Sequence, residues 1–112
     1  MSNALAQNLF DMNHQDTSAL EDLQLSLISG KNVEKTELFA AINSEIQAQA
    51  PLNQTVLLKV LSAPRMKVSV EDYHQLTLVF REAMIKVPLT EPEVFINYAQ
   101  CAALCMKKAL KS

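Results

Sequence analysis

The stretch from Glu93 to Lys111 constrains the fold more than any other part of the chain. Val94, Phe95, Ile96, Tyr98, Ala99, Cys101, Ala102, Ala103, Leu104, Cys105 and Met106 are interrupted there only by Asn97 and Gln100. A helix on the surface of a small domain shows one apolar stripe and one polar face. A helix apolar on nearly every side needs cover from more than one direction. A chain of 112 residues has few other elements to provide it. The pattern therefore predicts that another protein, or a second copy, supplies part of the cover.

The rest of the composition narrows the class. One domain is expected at this length, with room for a modest core. The sequence is 49% hydrophobic and 20% charged, which places it with globular rather than disordered chains. Gly30 is the only glycine. Tight hairpins and phosphate-binding loops need glycine where φ is positive or backbones approach closely, so its scarcity favours helices and argues against nucleotide loops. The formal net charge of −2 is a poor footprint for nucleic acid, whose phosphates must be neutralised. Lys107, Lys108 and Lys111 cluster at the C-terminus, where cations complement a helix dipole.

Met1-Ser-Asn-Ala-Leu-Ala-Gln has neither the basic segment nor the apolar core of a signal peptide. The longest uninterrupted apolar run, Cys101 to Met106, falls far short of the roughly 18 residues of a membrane span. The expectation is a cytoplasmic protein without a membrane span; if exported, it would leave without a cleaved signal.

Punctuation along the chain marks a series of helices. Residues 2–12 suit a short amphipathic turn or two around Leu5, Leu9, Phe10 and Met12, and a polar loop follows. Ser18-Ala-Leu-Glu21 fits a capping box, and the helix after it carries Leu20, Leu23, Leu27 and Ile28 before a left-handed cap at Gly30. A further helix is expected from Val33 to Gln49, capped by Asn32 and stopped by Pro51, with Leu38, Phe39, Ile42 and Ile46 as its stripe. Val56, Leu57, Val60 and Leu61 form one face of a short helix that halts at Ala63-Pro64. Ser69-Val-Glu-Asp72 then caps the best amphipathic helix, with Val70, Tyr73, Leu76, Thr77, Phe80, Met84 and Val87 in its stripe. Pro88 closes it, and Thr90-Glu-Pro-Glu93 reads as the capping box of the last helix.

Residues 56–61 and 76–80 also suit short buried strands, but the glycine-rich hairpin signals that strands need are missing. The fold class expected is all-α: a small bundle of about four to five helices. Residues 1–17 are expected to be a flexible segment, and 18–112 a single helical domain. The short link from Pro88 to Pro92 favours antiparallel neighbours, with Val94, Tyr98, Cys101 and Cys105 facing Tyr73, Phe80 and Met84.

Residues that carry chemistry are few. Cys101 and Cys105 share a helix face, but a metal would need two more ligands, and only His14, His74 and carboxylates are on hand. Both cysteines read as small core residues, poorly placed for bridging each other within one helix. A bridge between chains stays open if their face meets a partner. His74 has no nucleophile pattern around it and reads as exposed. Glu71 with Asp72, and Glu91 with Glu93, fall in first helical turns, where acids favour the dipole. No catalytic, cofactor or metal site is expected.

The segment Leu57-Leu-Lys-Val-Leu-Ser-Ala-Pro-Arg-Met-Lys-Val-Ser-Val-Glu-Asp-Tyr-His-Gln-Leu76 resembles the C-terminal half of the inner-rod and needle subunits of type III secretion systems. Those subunits have a helix, a short proline-containing loop, an acidic capped start and a long terminal helix. The ending Lys107-Lys-Ala-Leu-Lys-Ser112 is similar to that of some rod subunits. The resemblance implies polymerisation by helix packing and export without a cleaved signal, and it supplies no site residues. Pro88 and Pro92 depart from the pattern by breaking the terminal helix, and the two cysteines are unusual for an exported subunit.

The function expected is a non-enzymatic interaction module: a small helical adaptor, chaperone or assembly subunit. It would bind a protein partner or itself through Ile96, Ala99, Ala103, Met106 and Leu110, which recur at helical spacing on the second face of the last helix. The alternative is a self-contained helical regulatory domain that binds a small apolar ligand between its helices.

Overall fold

A computed structural model describes residues 18–111. Among them are five α-helices: α1 (Ala19–Ile28), α2 (Lys35–Gln47), α3 (Gln54–Ser62), α4 (Val70–Lys86) and α5 (Pro92–Lys111). A single 3₁₀ turn, Pro64–Met66, follows α3, and no strand occurs among the described residues. The fold is all-α, as the periodicity predicts. The expectations for residues 1–17 lie outside the described residues.

The caps explain where the helices begin and end. Ser18 Oγ accepts from the Glu21 N–H at 3.0 Å, while the Ser18 N–H donates to the Glu21 carboxylate at 3.3 Å. Such a cap contributes about 1 kcal/mol. At the far end of α1 the Gly30 and Lys31 N–H groups donate to the Leu27 and Ser26 carbonyls. Gly30 adopts φ 86° to do this, a conformation nearly free of cost without a Cβ.

The start of α2 differs from the expectation. Asn32 is not its cap; Glu34 is, and its N–H donates to the Glu37 carboxylate at 3.0 Å. A carboxylate one turn inside the helix can serve that donor, whereas Asn32 lies too early to reach the first turn. The helix also ends at Gln47 rather than Gln49. Gln49 turns left-handed at φ 54°, and the Gln49 and Ala50 N–H groups donate to the Ile46 and Glu45 carbonyls. Pro51 therefore lies beyond a stop that the backbone has already made.

Asn53 Oδ1 caps α3 by accepting from the Thr55 and Val56 N–H groups at 3.0 and 3.2 Å. Ser69 and Asp72 form the expected reciprocal box on α4: Ser69 Oγ accepts from the Asp72 N–H at 3.1 Å, and Asp72 accepts from the Ser69 N–H at 2.8 Å. Val87 is extended, as the residue before Pro88 must be. The Thr90 cap is corrected. Pro92 takes the first position of α5, which makes Glu91 the residue whose carbonyl accepts the first helical bond, from the Phe95 N–H at 3.3 Å.

Packing joins an α4–α5 hairpin to a unit built from α1, α2 and α3. The hairpin is antiparallel: the Phe80 and Tyr98 rings lie 6.4 Å apart in its middle, and Lys108 Nζ sits 6.0 Å from the Tyr73 ring near its open end. Tyr73, Leu76, Thr77 and Phe80 are buried from α4, and Val94, Tyr98, Cys101 and Cys105 from α5. Val70 departs from the expected stripe and is exposed, while Met84 is half-buried. Leu20, Leu38, Ile42, Leu57 and Met66 complete the core from the other unit.

Long-range hydrogen bonds fasten the two units. Asn97 Oδ1 accepts from the Leu52 N–H at 2.8 Å, and Asn97 Nδ2 donates to the Leu52 carbonyl, also at 2.8 Å. The Tyr98 hydroxyl donates to the Ala50 carbonyl at 2.8 Å, and the Tyr73 hydroxyl to the Leu61 carbonyl at 3.3 Å. Lys35 pairs with Asp72 at 2.9 Å. Glu45 is buried in the last turn of α2, and one of its carboxylate oxygens has no hydrogen-bond partner.

Candidate partner-binding surface

Helix α5 is not apolar on every side. At about 100° per residue, Lys107, Gln100, Glu93, Lys111, Asn97 and Lys108 share a polar arc that also holds Leu104. The remaining apolar arc covers roughly 200° of the circumference. One part of it, from Cys101 and Val94 through Tyr98 to Ala102, is buried, mostly against α4. The other part faces outward.

That outward part holds the five residues read from the sequence. Ile96 is 53% exposed, Met106 46% and Leu110 79%. Ala103 is exposed and Ala99 half-exposed. The five lie on one flank of the helix, and the fourteen steps from Ile96 to Leu110 span about 21 Å at 1.5 Å per residue. Among the described residues no element covers them.

Three further apolar residues extend the surface and were not singled out from the sequence. Phe95, 43% exposed, lies beside Met106 on the helical circumference. Leu89 is fully exposed at the α4–α5 turn, where Val87, Pro88, Pro92, Phe95 and Ile96 line a hollow of about 270 Å³. Leu58, 42% exposed, is the apolar residue of α3 that falls off its buried face. It meets Ala103 and Leu104 across a groove of about 480 Å³, edged by Lys107, Lys108 and Lys111. Gln54 and Gln100 are hydrogen-bonded to each other at one side of this groove.

The reactive side chains lie elsewhere. Cys101 and Cys105 are wholly buried, and burial pushes both thiols up to about 12. A thiol so placed is neither ionised nor accessible near neutral pH. A bridge from these cysteines to another chain, left open by the sequence, is excluded while the domain is folded. His74 is exposed on the solvent side of α4. Asp72 is engaged in its cap and with Lys35. Its burial raises the carboxyl, but the Ser69 and Lys35 hydrogen bonds outweigh that and hold it below the usual 3.8. Among the described residues no three histidine, cysteine or carboxylate side chains gather as a metal site would require.

No helix among the described residues is long and apolar enough to cross a membrane. The outward face of α5 and its two flanking hollows form a contiguous apolar surface that the core does not use. Comparison with known proteins finds no matching family model, no matching curated protein and no matching solved structure.

Proposed function

We propose that this chain is a non-enzymatic interaction module, a small helical adaptor, chaperone or assembly subunit. It binds another protein surface through the outward face of α5. One observation carries the reading: a continuous apolar strip, from Ile96 to Leu110, is left uncovered on a helix whose opposite flank is core. Single exposed apolar residues are ordinary, but a contiguous patch with a polar rim is the mark of a contact surface. Ala99 and Ala103 allow close approach of a backbone, while Ile96, Met106 and Leu110 supply apolar area. Ligand binding between the helices is less well supported, because the hollows lie at the surface rather than within the core. The helix, proline-containing turn and capped long helix at 57–76 suit an assembly subunit of a secretion apparatus, and that assignment rests on the resemblance alone.

The test is Ala103→Glu in the full chain. The exposed site tolerates the carboxylate in water, but an interface would bury it unpaired at a cost of several kcal/mol. Helix content by circular dichroism should stay near that of the parent. Binding of an apolar reporter dye, and any association seen by light scattering, should fall at least tenfold. If Ala103→Glu unfolds the monomer, the face belongs to the core and the proposal fails. It fails equally if the parent neither binds dye nor associates at high concentration.

A further inference from the structure

We infer that the partner seated on this face is a second copy of the chain, with the two α5 helices packed antiparallel about a two-fold axis at Ala103. This rests on the outward face of α5 being a contact surface and adds its occupant and register. Side-chain size along the strip is self-complementary about that point. With the axis at Ala103, each Ala103 meets its counterpart, Met106 lies over Ala99 of the second copy, and Ile96 meets Leu110. Large residues therefore face small ones near the axis and large ones at the ends, where the helices diverge.

Charge selects the same arrangement. In the antiparallel register Lys111 comes beside Glu93 of the second copy, and Lys107 beside Gln100. A parallel pair would instead set the edge bearing Lys107 and Lys111 against the apolar edge of Phe95 and Met106, where no carboxylate answers the cations, which disfavours it. Lys108 does not enter the seam, since its ammonium donates to Ser62 Oγ at 3.2 Å and lies over the Tyr73 ring. The area is sufficient. The exposed parts of the strip with Phe95 amount to roughly 500 Å² per copy, so a pair buries about 1,000 Å², the lower bound for a specific interface. The expected dimer is accordingly in exchange with monomer rather than permanent.

Single cysteines in the full chain test both occupant and direction, because native Cys101 and Cys105 are buried. Under mild oxidation Ala103→Cys should convert most of the protein to a disulfide-linked dimer, since its two thiols meet at the axis. Ile96→Cys alone should stay monomeric, as its copies lie about 21 Å apart along the helices at 1.5 Å per residue, far beyond disulfide reach. An equimolar mixture of Ile96→Cys and Leu110→Cys should cross-link to a mixed dimer. Self-linking of Ile96→Cys would overturn the antiparallel register. A parent that stays monomeric at millimolar concentration while binding the reporter dye would overturn self-association yet leave the contact-surface reading intact. Loss of dye binding as well would remove both.

Discussion

Asn97 ties α5 to the α2–α3 loop, and replacing it should cost more than any single cap. Its amide makes two hydrogen bonds of 2.8 Å with one residue, accepting from the Leu52 N–H and donating to the Leu52 carbonyl. Leu52 is only 4% exposed, so water cannot fully replace the amide. Asn97→Ala leaves a buried donor and a buried acceptor unpaired, each costing about 1–3 kcal/mol. Asn97 is itself half-buried, and some water will enter the space left behind. The lower half of the range is therefore appropriate, giving a total of roughly 2–4 kcal/mol. At a urea slope of about 1–1.5 kcal/mol/M for a domain this small, the unfolding midpoint should drop by roughly 1.3–4 M. The slope itself should not change. Asn97→Asp sharpens the test: it keeps an acceptor for the Leu52 N–H but sets a carboxylate oxygen against the Leu52 carbonyl. Its stability deficit should shrink at acid pH, where the protonated acid can donate. A midpoint shift below about 0.4 M for Asn97→Ala would mean that the pairing contributes nothing net, and the argument from unsatisfied backbone groups would fall.

Phe80, fully buried against Tyr98, should lose about 3–5 kcal/mol on truncation to alanine, and a loss below about 1 kcal/mol by urea titration would place the α4 stripe outside the core. Asp72 has its folded pKa depressed, so its contribution is present above the usual 3.8 and is lost as pH falls through the lower folded value. Asp72→Asn should flatten the acid limb of a melting-temperature profile below about pH 4, and an unchanged limb would refute the linkage. Cys101 and Cys105 should resist alkylation at pH 8 in the native protein and react readily in urea; rapid native labelling of either would contradict their burial.

Local chemistry was legible in the sequence and distant pairing was not. The boxes at Ser18 and Ser69 and the ending at Gly30 involve residues no more than five apart, so their geometry follows from residue type. The stop at Gln49 escaped notice because glutamine is not a residue that marks left-handed backbone. Asn97 interrupted the apolar run and looked merely like a polar break, yet its partner lies 45 residues away in an irregular loop. Periodicity carries no record of such a pair. The exposed strip was separable from the buried one by spacing alone, because the two flanks of α5 repeat with the same period but different phase. Phe95 fell between them and gained its place only once the α4–α5 turn set Leu89 and Pro92 beside it.

The direction of synthesis gives the loop fastening a temporal meaning. The long-range side-chain hydrogen bonds described above all have one partner in α4 or α5, and the two closest to the α2–α3 loop come from Asn97 and Tyr98. A growing chain therefore makes α1, α2 and α3 well before the groups that secure them. Leu52 and Ala50 must keep their backbone groups hydrated until residues 97 and 98 become available. The hydrogen-bonded fastening, and the cooperative closure that depends on it, therefore comes only after this part of α5 has been made. A nascent chain cut short before Asn97 would lack Tyr98, Cys101 and Cys105 from the core and leave the α4 stripe around Phe80 without its partner, which makes an interrupted product of this chain a natural client for chaperones or proteases.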